Sequence, residues 1–238
     1  MANLDFTGAT VLVTGGTKGV GKVIAETFTR AGADVVVCAR NEPATPPPGH
    51  FVRTDVRDPD ACRALVDATV DRFGRLDVLI NNAGGSPDAD AATVSPRFVE
   101  KIVALNLLAP FYLAQAANAA MTTGSIVNIG SVSASDPQPG TAAYAAAKAG
   151  LLTLTKALAL EWGPSVRVNH ITAGLIRTEA DLYTQQTTSL IPAGRLADPE
   201  DIANACLYLS SDLANYVNGA DLAVHGGGEI PARFLLNP

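Results

Sequence analysis

Tyr144 and Lys148 stand four residues apart in an alanine-rich stretch. In a helix, four residues turn the chain by about 400°, so both side chains leave one face, one turn apart. An ammonium group beside a phenol stabilises the phenolate and draws its pKa down from about 10. A tyrosine tuned in that way can give or take a proton near neutral pH. The same two residues could also be plain neighbours on an amphipathic helix. Ser131 adds to the first possibility, because it ends a predicted strand just before the loop leading to this helix. A hydroxyl there could hydrogen-bond a substrate oxygen at the carboxyl edge of a sheet. Ser133 is a nearby alternative.

A second pattern lies near the start of the chain, in Thr14-Gly15-Gly16-Thr17-Lys18-Gly19-Val20-Gly21. Glycines allow positive φ and close backbone approach. This segment follows a predicted strand and opens a predicted helix. The helix N-terminus offers unpaired N–H groups and the positive end of a dipole, to which a pyrophosphate is suited. A glycine-rich structural turn is the plainer alternative, and the strand-before, helix-after context favours nucleotide binding. The spacing is G-x-x-x-G-x-G, and no Gly-Lys-Ser/Thr follows, so it is not a P-loop.

Behind these residues, short β-branched runs alternate with longer helical stretches, the pattern of parallel βαβ units. Strands are expected at Thr10–Thr14, Asp34–Ala39, His50–Arg53, Leu76–Ile80, Ser125–Ile129, Val166–Ile171 and Asp221–Val224. Helices are expected at Lys22–Arg30, Asp60–Phe73, Pro96–Met121, Thr141–Trp162 and Pro199–Leu209, with Asp58 and Pro59 as a cap and first turn. The strand runs are continuously apolar, which fits a sheet covered on both faces. The expected fold is α/β, a doubly wound, seven-stranded parallel sheet with ligands beyond the carboxyl ends of its strands. One crossover departs from the pattern. Asn41 to Gly49 holds four prolines, which exclude a helix interior, so this segment should cross as an extended loop.

The 238 residues, 47% hydrophobic, suffice for one large domain spanning 1–238. A net charge of −6 with no basic run argues against nucleic-acid binding. Cys38, Cys62 and Cys206 are scattered and odd in number, which argues against a disulfide framework, and no cluster suggests a metal. The first residues have no signal-peptide core, and the apolar runs break before the roughly 20 residues needed to cross a bilayer. A soluble, cytoplasmic protein is expected.

Taken in order, Thr14-Gly15-x-x-x-Gly19-x-Gly21, Asp55, Asn81-Asn82-Ala83-Gly84, Asn106, Ser131 and Tyr144-x-x-x-Lys148 resemble the short-chain dehydrogenase/reductase family over essentially the whole chain. The resemblance implies a hydride transfer between a nicotinamide cofactor and a ketone or secondary alcohol. Tyr144 would be the general acid/base, Lys148 would hold the ribose hydroxyls, and Ser131 would bind the substrate oxygen. Asn106 would hold a water linking Lys148 to solvent. Gly15, Thr17, Lys18, Gly19, Val20, Gly21, Arg40, Asp55, Val56, Asn82, Ala83 and Gly84 would line the dinucleotide, with Gly174, Ile176 and Thr178 near the nicotinamide. The substrate would meet Gly85, Ser133, Gln138, Leu175 and Tyr183.

In the family, an acid at the end of the second strand reads the 2′-hydroxyl of NAD, and a base nearby favours NADP. Here Ala39 fills that position and Arg40 follows, while Lys18 precedes Gly19. Both cations could be ordinary surface charges, and the proline loop could redirect Arg40. The balance is for NADP(H), with NAD(H) second. The chain departs from family habit at Ala173-Gly174, where Pro-Gly is usual, and at His225, where Asp is usual. His225, His50 and His170 are expected to be structural. A 3-oxoacyl-thioester reductase and an NAD(H)-dependent alcohol dehydrogenase are the alternatives. A non-catalytic sensor would tend to lose Tyr144 or Lys148, and a sugar-nucleotide epimerase would need a longer chain. The apolar faces of the two long helices, with Phe234-Leu235-Leu236, suggest a homotetramer or homodimer.

Overall fold

Val11, Leu12 and Val13 are all fully buried. Successive strand residues point to opposite faces, so both faces here must be covered. In the computed structural model, which describes residues 4–177 and 188–228, they are. Val11 and Val13 pack with Ile24, Phe28, Ile202 and Cys206 on one face. Leu12 packs with Leu65, Leu113, Ala117 and Leu158 on the other.

The strands are β1 (Thr10–Thr14), β2 (Asp34–Ala39), β3 (His50–Arg53), β4 (Val78–Asn81), β5 (Gly124–Ile129), β6 (Val166–Ala173) and β7 (Asp221–Val224). They form one sheet in the order β3-β2-β1-β4-β5-β6-β7, and every pair is parallel. The order reverses between β1 and β4, which opens a crevice at their carboxyl ends. Helices α1 (Gly19–Arg30), α2 (Pro59–Phe73), α3 (Pro96–Val103), α4 (Ala109–Ala120), α5 (Ala142–Trp162) and α6 (Pro199–Ser210) complete the layers. Asp58 accepts from the N–H groups of Asp60 and Ala61 at the start of α2, Pro59 fills its first turn, and Gly74 ends it at φ 78°. β2 reaches β3 without a helix. Gly49 makes this crossing possible at φ +87°, where a Cβ would lie 2.2 Å from the Val35 carbonyl oxygen.

Several elements differ from the sequence expectation. α1 begins at Gly19, not Lys22, because two poor helix formers sit in its first turn where the loop demands them. β4 starts later, and β6 runs on to Ala173 because Thr172 and Ala173 pair with β7. The single helix expected over Pro96–Met121 is broken by a π-helical turn at Ala104–Leu108. Pro110 has no N–H for the carbonyl four residues back, so α-helical pairing cannot pass unbroken through this point. By length and composition Pro96–Ala120 could cross a membrane. In this fold Leu113, Ala114 and Ala117 bury against the sheet-facing core, as in the core helix of a globular domain.

Candidate active site

The glycine turn is held from beneath by Thr14. Its hydroxyl donates to the Ile80 carbonyl (3.3 Å) and accepts from the N–H groups of Asn82 (3.0 Å) and Ala83 (2.9 Å). The Asn82 amide in turn donates to the Thr14 carbonyl at 2.8 Å. This ties the end of β1 to the segment after β4. Gly15 and Gly19 take φ +65° and +52°. A Cβ on Gly21 would lie 2.3 Å from Asn82 Nδ2 and 2.4 Å from the Gly15 carbonyl oxygen. Lys18 caps α1 without a side-chain hydrogen bond, and the first turn holds no acid. Its leading N–H groups therefore face the crevice without a side-chain acceptor, as an anion site requires.

That crevice encloses about 720 Å³. It brings together Gly15, Thr17, Lys18, Gly19, Val20, Gly21, Arg40, Asp55, Val56, Asn82, Ala83 and Gly84. The proline loop supplies a wall through Pro43, Ala44 and Thr45, and Leu105 supplies another. Asp55 forms an ion pair with Arg57, which with nearby Arg40 holds its carboxyl below the usual range. These residues fit a dinucleotide: a glycine-lined floor, unpaired helix N–H groups and two exposed cations at the rim.

Beside Gly84 of the crevice lies the candidate catalytic cluster. Lys148 is only 4% exposed, and its Nζ donates to the Ile129 carbonyl at 2.7 Å. The same Nζ lies 5.7 Å from the centroid of the Tyr144 ring. Burial without an acidic partner pushes the Lys148 pKa down to about 8. A Cβ on Gly84, which lines the crevice, would come within 3.3 Å of this Nζ, so the lysine lies directly behind the crevice wall. Ser131 follows β5, and its Oγ accepts from the Ser133 N–H at 3.1 Å, capping a short 3-10 turn at Val132–Ala134. That bond leaves the hydroxyl proton of Ser131 to be given elsewhere.

The buried amide of Asn106 is engaged on both sides: Oδ1 accepts from the Gly85 N–H (2.9 Å), and Nδ2 donates to the carbonyls of Gly85 (3.0 Å) and Ile102 (2.9 Å). The side chain clamps Gly85 with both amide hydrogens committed, and its backbone carbonyl finds no N–H at Pro110, four residues on.

Sequence reasoning missed the buried chain beneath the cluster. Asn81 donates to Asn128 Oδ1 (2.8 Å), Asn128 to Thr155 Oγ1 (2.9 Å), and Thr155 to the Leu151 carbonyl (2.9 Å). It joins β4 and β5 to α5 where α5 carries Lys148. His170 also lies close. Its Nδ1 is 2.8 Å from Asp221 Oδ1, while Nε2 has no hydrogen-bond partner among the described residues. Burial holds the imidazole pKa down against the pull of Asp221. The ring fills the space under Gly130, where a Cβ would lie 2.0 Å from Cε1. Only the small residue at 130 hinted at this contact.

The loop after β6 carries the remaining residues. Gly174 donates to the Val224 carbonyl (3.0 Å) and packs so closely on His225 that a Cβ would lie 2.7 Å from the His225 Cα. Ile176 bridges to Ala197, and Leu175 lines a separate 320 Å³ cavity with Ile191 and His225. Gln138 turns into α5 through Thr141. Thr178, Tyr183 and Phe234 to Leu236 lie outside the described residues.

Residues 15–229 match the family model described as enoyl-(acyl carrier protein) reductase. The chain is 35% identical to a 3-oxoacyl-[acyl-carrier-protein] reductase of Vibrio cholerae, covering 94% of this chain and 98% of that one. The chain belongs to the short-chain dehydrogenase/reductase family. Another member, a 2,5-dichloro-2,5-cyclohexadiene-1,4-diol dehydrogenase of Sphingobium indicum, is 37% identical over 97% of this chain and 99% of its own. Among solved members, the ligand-free aldohexose dehydrogenase of Thermoplasma acidophilum superposes with a TM-score of 0.89, at 29% identity and 95% coverage of each chain. The chain is therefore an oxidoreductase of this family with its seven-stranded parallel sheet.

Proposed function

We propose that the protein reduces ketones, or oxidises secondary alcohols, with NADP(H). The observation that carries this reading is the buried, acid-free Lys148 ammonium beside Tyr144, behind the wall of a crevice fit for a dinucleotide. When bound, the dinucleotide supplies or takes the hydride at carbon. Tyr144 moves the balancing proton at oxygen, as acid in reduction and as base in oxidation. Ser131 donates its hydroxyl proton to the same oxygen and stabilises the charge that develops there. Lys148 stabilises the tyrosinate and binds ribose hydroxyls, and Ile129 and Asn106 keep both the lysine and Gly85 in place.

Lys18 and Arg40 support NADP(H) over NAD(H), since these two exposed cations suit a dianionic 2′-phosphate, while of the two acids lining the crevice Asp55 is paired with Arg57 and Glu42 stands alone on the proline loop. The names of relatives favour a second reading, a 3-oxoacyl-thioester reductase. We further propose a cytoplasmic homo-oligomer, a tetramer or dimer, because Leu160 on α5 is 86% exposed and asks for a cover. The first test is a fluorescence titration with NADPH and NADH. NADPH binding tighter by tenfold or more, about 1.4 kcal/mol, supports the reading. Tighter NADH binding replaces the cofactor, and binding of neither overturns the dinucleotide reading.

A further inference from the structure

A cavity of about 230 Å³ opens beside Tyr144, between the segment after β4, α3 and the start of α5. Its wall includes Ala89, Ala91, Val94, Phe98, Val99 and Ala143. Besides Tyr144, the only polar side chain in that wall among the described residues is Ser86, whose hydroxyl donates to the Pro87 carbonyl at 2.8 Å. The walls are tied together before any ligand arrives. Ala89 N–H donates to the Gly140 carbonyl at 3.0 Å, and Asp90 holds the turn through the N–H groups of Ala92 and Val94.

The size fits a fragment. An apolar cavity of about 150 Å³ can hold benzene, whereas whole drug-sized ligands take about 300–1,000 Å³. This cavity therefore has room for one six-membered ring with a small substituent. Three acids lie on the loops that form it. Asp88 packs against Gly140, Asp90 lies between two wall residues, and Asp136 lies in the facing loop. On α3, Arg97 and Lys101 are exposed and neither belongs to the cavity wall. Arg177 and Arg195, after β6, are paired with Asp198 and Asp201.

We infer that this cavity seats an uncharged, apolar ring borne on the reacting carbon, so that the substrates are compact uncharged ketones and secondary alcohols. The inference rests on Tyr144 acting as the proposed acid/base. A thioester on coenzyme A or phosphopantetheine brings phosphate anions past Asp88, Asp90 and Asp136, with no unpaired cation among the described residues of the cavity wall to meet them.

The test compares propiophenone, 2-butanone and acetoacetyl-CoA as substrates of the full chain with NADPH. The expected kcat/KM is highest for propiophenone, by at least tenfold over either of the others. Val94→Phe, which fills the cavity, should raise KM for propiophenone relative to 2-butanone by tenfold or more. Ala91→Leu should do the same to a smaller degree. In a readout without turnover, propiophenone should raise the melting temperature of the NADP⁺-loaded protein, and Val94→Phe should abolish that shift. Preference for acetoacetyl-CoA, with KM ratios indifferent to both substitutions, overturns the cavity assignment and leaves the reductase reading standing. NADPH binding with turnover of none of the three overturns the reductase reading. An absent propiophenone shift then overturns the cavity assignment as well.

Discussion

The two ends of the site are built from different materials. The dinucleotide end, between β1, α1 and β2, is made of backbone: glycines at positive φ, the leading N–H groups of α1, and exposed Lys18 and Arg40 at the rim. The catalytic end, between β4, β5 and α5, is made of buried polar side chains. Asn81, Asn106, Asn128, Lys148 and Thr155 are each at most 4% exposed. The difference sets how each end fails. Backbone donors do not depend on side-chain identity, so the first end tolerates substitution except where a Cβ intrudes. In the second, removing one member leaves its partner buried and unpaired, at about 1–3 kcal/mol each.

The largest effect should come from Tyr144→Phe. Loss of the proton donor should lower kcat by about 10³- to 10⁴-fold, while titration shows NADPH affinity within twofold of the parent. A retained rate removes Tyr144 from its role. A matching loss of affinity would mean that the two ends are not separable in the way their construction implies.

Glycine substitutions compare the two ends directly. Gly130→Ala drives a Cβ to 2.1 Å from His170 Nε2, at a site tied to β6 through the bond from its N–H to the Ile171 carbonyl. It should cost about 3 kcal/mol by overpacking, and His170→Ala in the same chain should recover part of it. Gly19→Ala has nothing within 4 Å and pays only for its φ of +52°, about 1–2 kcal/mol. Denaturant midpoints would decide, and equal costs for the two would contradict the contrast.

Lys148 provides a pH test. Its pKa of about 8 lies below the ordinary 10.5, so burial of the charge costs stability. Below about pH 8 both folded and unfolded chains are protonated, and the folded chain bears the whole cost. Between about 8 and 10.5 the folded chain loses its proton first, and stability rises with pH across that window. Lys148→Met should therefore abolish turnover yet stabilise the apo protein at pH 7, by about 2 kcal/mol once the lost bond to Ile129 is subtracted. The gain should shrink as the pH approaches 10. A destabilised variant at pH 7 would show that the bond to Ile129 outweighs desolvation.

What could be read in the sequence follows the same division. The order of strands and helices, the extended proline crossing and the gathering of the glycine turn, Arg40, Asp55 and Asn82–Gly84 around one crevice were legible, because short-range chemistry fixes them: β-branched runs, Asp58-Pro59, and glycines between a strand and a helix. The break at Ala104–Leu108 was not, since Pro110 reads as the first turn of a new helix as readily as a fault in an old one. Nor were the Asn81–Asn128–Thr155 chain and the His170 contact under Gly130 legible, because they join residues 27 to 47 positions apart across the sheet. Asn106 was found by motif, but its clamp on Gly85 was not legible, because a motif names a residue and not the partners its atoms take.

The smallest effect expected is at the rim. Arg40 is exposed, and its backbone carbonyl accepts from Arg53 Nε at 3.0 Å, which fixes where the proline loop leaves β2. The loop's start is thus held by backbone contact, while the guanidinium remains at the mouth of the crevice with Lys18. Arg40→Asp replaces a cation that attracts the 2′-phosphate with an anion that repels it and can accept from the 2′-hydroxyl. The ratio of NADPH to NADH affinity should fall by about tenfold, or 1.4 kcal/mol, and less at high salt because the site is solvated. Melting temperature should change little, since Arg40 is exposed and its pull on Asp55 is secondary to that of Arg57. If the ratio holds in Arg40→Asp and falls in Lys18→Ala, the phosphate is read from the helix start and not from the strand end, and the proline loop serves only as a wall.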